Sequence, residues 1–330
     1  MSIIVAVHNG ERFIHQKLRS ILALDYPREK MEIIVASDGS TDKTDALIQT
    51  FSAEGVRLLP LPRGGKCSAL NSAIVQASHE ILVFTDVRQL LAPDSLAFLV
   101  ENFADPKVGA VSAELVILRG NTREEADVGL YWRYELWIRL RLSEIDSIFG
   151  ATGAYYALRR ELAVPLPANA LLDDMYLPLA AFFRGRRLIV DRRARMFDLP
   201  TGLHAEFQRK VRTLAGNYQI LKAYPALLGP RNRMWFHFVS YKFGRLVLPF
   251  ALLWILVCGF GLPKPWRTIA VAAQACFYFA ALVDWCIPAN PLRKITSPIR
   301  TFVTLMAATL CALSVVFVPS SNLWKTTEGR

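Results

Sequence analysis

Glu80-Ile81-Leu82-Val83-Phe84-Thr85-Asp86-Val87-Arg88-Gln89 reads as a buried strand that stops at a carboxylate. A short unbroken run of Ile, Leu, Val and Phe is what a strand covered on both faces requires. Asp86 then falls at its carboxyl end, the edge along which open α/β sheets bind ligands. Hard divalent cations prefer oxygen ligands, and Mg²⁺ is usually shared between one or two carboxylates and substrate phosphates. An acid at this edge is therefore a candidate for holding a cation against a diphosphate. Taken alone, Asp86 reads more simply as a strand-capping turn, and the rest of the chain has to decide.

The same unit recurs on the N-terminal side. Ser2 to Val7 reads as a first strand, His8-Asn9-Gly10 as a turn and Glu11 to Leu24 as an amphipathic helix. Glu32 to Ala36 is a second strand, running into Ser37-Asp38-Gly39-Ser40-Thr41-Asp42 before a helix from Lys43 to Phe51. Short strands alternating with helices imply a parallel sheet with helices on its faces. Asp38 lies at another carboxyl edge, where a carboxylate can bond a base or ribose and helix amides can face phosphate; it reads equally as an N-cap with turn residues. Arg63-Gly64-Gly65-Lys66 is a glycine loop with a lysine opening a helix. It lacks P-loop spacing, but Lys66 can reach a diphosphate. A helix from Pro93 to Phe103 and a strand from Val108 to Leu118 follow.

Charge divides the chain. Of 39 Lys and Arg residues, 11 lie from Pro230 onward, against two of the 28 acids, Asp284 and Glu328. A basic excess confined to the apolar third is the asymmetry that orients membrane helices, and it argues against a nucleic-acid partner, which would need a basic face on the polar part. The five cysteines show no CxxC pair or metal-ligand spacing, so they are expected to be free thiols. Leu246 to Leu262, Thr268 to Ile287 and Thr301 to Val318 each approach the ~20 apolar residues that cross a bilayer. Arg231, Arg233, Lys242 and Arg245 precede the first, which predicts a cytoplasmic start at the cell membrane and a multi-pass topology. The second segment is the least secure of the three. Six arginines between Arg184 and Arg195 read as a solvated face or a contact with membrane lipids. A helix from Ala205 to about Tyr224 has the basic and apolar faces of an interfacial helix. A chain that opens on its first strand also implies a further segment upstream.

The series SIIVAVHNG, SDGSTD, GGKCSALN and FTDVRQ, with GATGAYYALRR at Gly150 to Arg160 and LLDDMYLP at Leu171 to Pro178, resembles the family-2 glycosyltransferases. It is most similar to their membrane-bound branch, which includes the cellulose, hyaluronan and poly-N-acetylglucosamine synthases. The resemblance implies a Rossmann-like α/β domain of the GT-A type over residues 1–200, an interfacial helix over 201–229 and a membrane region over 230–330. It implies an inverting hexosyltransferase that takes a nucleotide-sugar donor, with Mg²⁺ or Mn²⁺, and serves a glycan or lipid-linked acceptor in envelope or exopolysaccharide synthesis. By the same resemblance Asp38 binds the uracil or ribose of a UDP-sugar, Lys66 lies near the nucleotide, and Asp86 is the leading acid of the DxD metal motif. The second acid of that motif is replaced by Arg88. Asp173 and Asp174 match the acidic pair whose second member is the general base, and an attacking hydroxyl needs such a group to take its proton. Gly150 and Gly153 flank a turn beside the acceptor, with Tyr155 and Tyr156 as stacking surfaces or core aromatics. The QxxRW signature aligns with Arg209-x-x-Arg212-Thr213, making Arg212, beside Arg209, the leaving-group contact and removing the tryptophan expected for long processive synthesis. Trp324, Thr327 and Arg330 match a WxxTxR gating tail. Two alternatives stay open: transfer of one sugar to a polyprenyl phosphate, and a non-catalytic membrane subunit with a degenerate transferase domain.

Overall fold

The apolar runs around Asp86 become neighbouring strands of one eight-stranded sheet, seen in a computed structural model that describes residues 1–118, 123–198, 203–284 and 293–317. The strands are β1 (Ser2–Val7), β2 (Glu32–Asp38), β3 (Val56–Leu61), β4 (Ile81–Thr85), β5 (Leu90–Leu91), β6 (Val108–Ile117), β7 (Tyr155–Arg159) and β8 (Arg187–Asp198). They lie in the order β3-β2-β1-β4-β7-β6-β8-β5. Helices α1 (Glu11–Leu22), α2 (Thr44–Gln49), α3 (Lys66–Gln76), α4 (Ser95–Glu101), α5 (Arg123–Ile145) and α6 (Asp173–Phe183) connect them.

Strands β3, β2, β1 and β4 run parallel, and register places Ile4 between Ile34 and Phe84. Their carboxyl ends therefore line up, carrying the turns after Val7, Asp38 and Thr85 to one edge. Beyond β4 the expectation of a parallel sheet fails. β7 inserts antiparallel between β4 and β6, with Phe84 opposite Tyr156 and Thr85 opposite Tyr155. This insertion brings the segment before Tyr155 to the end of β4. One face of the sheet packs Ile3, Val5, Val35 and Val83 against Ile14, Leu18 and Ile21 of α1. Tyr155 and Tyr156 are both fully buried, with Tyr156 stacked on Phe84 at 4.8 Å between ring centres.

The arginines around β8 serve the domain itself. Arg187 donates to the carbonyls of Ser143 (2.9 Å) and Asp146 (3.0 Å), Arg184 to that of Glu161 (3.0 Å), and Arg193 pairs with Asp191 and Glu101. Partial exposure of Arg192 and Arg193 fits the expected solvated face. Their main partners, however, are the domain's own carbonyls and acids.

The residues divide into two units, Met1–Asn121 with Gly129–Pro200, and Thr122–Val128 with Thr201–Arg330. Among its described residues the second contains α7 (Leu203–Ala223) and three helical spans long and apolar enough to cross a membrane: Trp235–Phe260, Trp266–Val283 and Thr296–Val315. Trp254, Ile255, Val257, Phe260, Phe279 and Leu282 point outward on the first two. Exposed apolar surface of this extent marks a membrane or partner contact. The second and third helices are joined by a buried ion pair, Arg300 to Asp284 at 3.0 Å.

Candidate active site

The acidic cluster at the centre of the candidate site lies in the first unit and grows from the aligned strand ends. At the end of β1, Asn9 adopts a positive φ of 49°, a conformation asparagine tolerates better than most residues. Its Oδ1 accepts from Thr41 N (2.8 Å), which ties the first turn to the one after β2. Asp38, the last residue of β2, is almost wholly buried. Its carboxylate accepts from the backbone amides of Gly64 (2.7 Å) and Gly65 (3.0 Å) and from the Arg63 guanidinium. In this structure Asp38 orders the glycine loop, and the loop delivers Lys66 at the start of α3.

Lys66 stands between two acids. Its Nζ lies 3.0 Å from Asp86 Oδ1 and 3.1 Å from Asp173 Oδ1. Burial opposes its charge, but Asp173 and Asp86 outweigh that and hold its pKa well above the ordinary lysine value. The first turn of α6 supplies Asp173 and Asp174, where the positive end of the helix dipole favours carboxylates. The chain segment before β7 closes against that turn. Ala151 N donates to Asp174 O (2.7 Å), and a Cβ on Gly153 would stand 2.8 Å from Asp174 Oδ2. A Cβ on Gly150 would collide with Met175 Cγ. Gly153 thus allows the close approach to Asp174, and Gly150 the close approach to Met175, the next residue of α6.

Arg88, where the resemblance led us to expect a second acid, pairs with Asp198 of β8. Gln89 Nε2 donates to the same carboxylate (2.8 Å). Among the described residues there is no group of three or more His, Cys, Asp or Glu that could hold a metal. The donor set nonetheless fits a cation that shares its shell with a diphosphate. Asp86 and Asp173 offer hard oxygens, and the cluster already gathers around one positive group, Lys66 Nζ.

The structure brings Asp38, Lys66, Asp86, Asp173, Asp174, Gly150 and Gly153 to one edge. Tyr155 is corrected: its ring is wholly buried and its hydroxyl lies 3.4 Å from Ser95 Oγ, so it belongs to the core and cannot stack on a sugar. Tyr156 is buried too. Arg209 and Arg212 lie on α7 in the second unit. Trp324, Thr327 and Arg330 lie outside the described residues.

Two cationic residues escaped the sequence reading. Lys17 of α1 is fully buried and donates to Thr85 Oγ1 (2.6 Å) and Gln89 O (2.7 Å), on either side of Asp86. Burial, opposed by the Asp86 carboxylate, lowers its pKa to about 7. Its signal was a lysine inside the apolar stripe Ile14, Leu18, Ile21. Arg139 of α5 donates to Thr152 Oγ1 and Ser112 Oγ, both at 2.8 Å, and to Gly150 O at 3.3 Å, bracing the glycine turn. Nothing in its local sequence marks it.

Residues 2–164 match the family model described as glycosyl transferase family 2. A poly-beta-1,6-N-acetyl-D-glucosamine synthase of Staphylococcus aureus (strain COL) is 35% identical over 236 residues, covering 67% of this chain and 55% of the relative. The chain thus spans about half the length of that relative. Among solved structures, mannosyltransferase PcManGT from Pyrobaculum calidifontis, in complex with GDP-Man and Mn²⁺, has a TM-score of 0.69 at 25% identity, over 98% of this chain and 87% of that one. S. aureus TarS 1-349 shares the fold, with a TM-score of 0.51 at 15% identity over 95% of this chain and 90% of that one. The motifs at the sheet edge, the mixed GT-A-like sheet and these matches agree, and the chain belongs to glycosyl transferase family 2.

Proposed function

We propose that the chain is an inverting glycosyltransferase that moves a sugar from a UDP-sugar to a polysaccharide or lipid-linked acceptor at the cytoplasmic face of the cell membrane. The observation that carries this reading is the cluster in which Lys66 lies between Asp86 and Asp173 while Asp174 is packed against Gly153. One side of the cluster suits a diphosphate and the other an acceptor hydroxyl.

In this reading Asp174 takes the proton of the acceptor hydroxyl as its oxygen attacks the anomeric carbon. The bond from that carbon to the diphosphate oxygen breaks, its electron pair leaves with UDP, and configuration inverts. Asp86, with the diphosphate completing the shell, would hold Mg²⁺ or Mn²⁺, which supplies positive charge to the leaving group when bound. Lys66 adds a fixed positive charge beside that position, an interaction that strengthens as negative charge develops. Asp38 orders the loop on the nucleotide side and contributes the base or ribose contact. Arg212, with Arg209, is assigned to the diphosphate from its place in the altered signature. Membrane lipids hold the three apolar helices.

UDP release from a panel of UDP-sugars with Mg²⁺ or Mn²⁺, measured in nanodiscs with membrane extract as acceptor source, tests the reading. GDP release from GDP-mannose is measured beside it because the PcManGT complex holds GDP-Man. Release with one donor, lost by at least 100-fold in Asp174→Asn, is expected. Failure of every donor to turn over, with Asp174→Asn indistinguishable from wild type, would favour a non-catalytic membrane subunit instead.

A further inference from the structure

A fully buried amine that no step of the proposed chemistry uses needs another explanation. Lys17 lies on the core face of α1 among Ile14, Leu18 and Ile21, where an apolar residue would avoid the cost of burying a polar group. Its Nζ spans the turn from β4. It donates at 2.6 Å to Thr85 Oγ1, one residue before Asp86, and at 2.7 Å to Gln89 O, three residues after it. Thr85 Oγ1 in turn donates to Ala154 O (2.9 Å), and Asp86 N donates to the same carbonyl (3.2 Å). The turn is therefore held from below by α1, from the side by the segment entering β7, and at Arg88 and Gln89 by Asp198.

We infer that Lys17 is a positioning residue that fixes the Asp86-Val87-Arg88 turn in the shape that receives the cation–diphosphate of the donor. This inference rests on the donor-site reading given above. Its physical basis is preorganisation. A turn carrying one acid has no second carboxylate to correct a misplaced ligand, so its geometry has to be set by the protein before binding. Lys17 acts through two hydrogen bonds to acceptor oxygens, which an amine satisfies in either protonation state. The effect belongs to ligand affinity, because the residue touches neither reacting group nor acceptor.

Calorimetric titration of the full chain in nanodiscs with UDP and with GDP, each with Mn²⁺, tests this for wild type, Lys17→Met and Thr85→Val. Wild-type binding of one nucleotide is expected, weakened at least tenfold in Lys17→Met and about threefold in Thr85→Val, which keeps Lys17 but removes one of its anchors. Under turnover, the donor KM should rise by a similar factor with kcat changed less than threefold. Thermal unfolding midpoints show whether each variant is folded. If folded Lys17→Met binds within twofold of wild type, the positioning role is wrong. If Lys17→Met does not fold, Thr85→Val decides alone, and unchanged nucleotide affinity there overturns the inference. Absence of wild-type binding to either nucleotide would instead overturn the donor-site reading on which it rests.

Discussion

Single residues show most clearly what the sequence could reveal. Asp38, Asp86, Asp173 and Asp174 were legible only as a series: each alone reads as a cap or turn, but together with the surrounding motifs they carry the family resemblance, and the fold brings all four to one edge. Lys17 was hidden because its apolar stripe looks like any core-facing helix. Tyr155 misled because an aromatic next to a glycine turn looks available, whereas β7 is covered on both faces and buries both of its tyrosines. Cys67 carries a prediction at this scale. It is buried with its Sγ 3.3 Å from Ala170 O, and burial, reinforced by Asp173 and opposed by Lys66, pushes its thiol up to about 12. Only about one thiol in ten thousand would then be ionised at pH 8, and the thiolate is the reactive form. N-ethylmaleimide followed by peptide mass spectrometry should leave Cys67 unmodified in the native chain and label it after denaturation. Rapid native labelling at pH 8 would contradict the burial described.

Elements were read well where they are local and poorly where they depend on partners. β1, β2, β4 and β6 announce themselves as apolar runs, and their observed bounds fall within two residues of those expected. β3 went unread because Arg57 and Pro60 break its pattern, which an edge strand tolerates. The antiparallel insertion of β7 was invisible too, since nothing local fixes strand order. Yet that insertion sets the glycine turn against the first turn of α6, and a prediction follows there. In Gly153→Ala the new Cβ would meet Asp174 Oδ2 at 2.8 Å and must displace it. Displacements of about 1 Å in a catalytic group can cost ~100-fold in rate. Turnover is expected to fall at least tenfold while the unfolding midpoint moves by only a few degrees. Equal losses of rate and stability would point to a purely structural glycine.

At the scale of the whole molecule, composition separated a mixed-charge transferase domain from a basic apolar region, and the three long apolar helices lie in that region. Expected and observed helix bounds differ there because uniform hydrophobicity carries no end signal. The Asp284–Arg300 pair, which joins two of these helices, was not anticipated, since neither residue has its partner nearby in sequence. Removing one member of a buried ion pair costs about 3–5 kcal/mol, while replacing both often costs little. Arg300→Met should therefore lower the detergent-solubilised unfolding midpoint more than the double substitution Asp284→Asn/Arg300→Met. An equal or smaller loss in the single variant would show that the pair adds nothing. Another long-range pair, Arg88 with Asp198, bears on how this sequence can change. The two positions are 110 residues apart, and Asp198 is nearly buried. An aspartate at position 88 would restore the two-acid turn but set a second negative charge against Asp198. Arg88→Asp would thus call for a matching change at Asp198, so the one-acid turn is tied to a contact made 110 positions further along the chain.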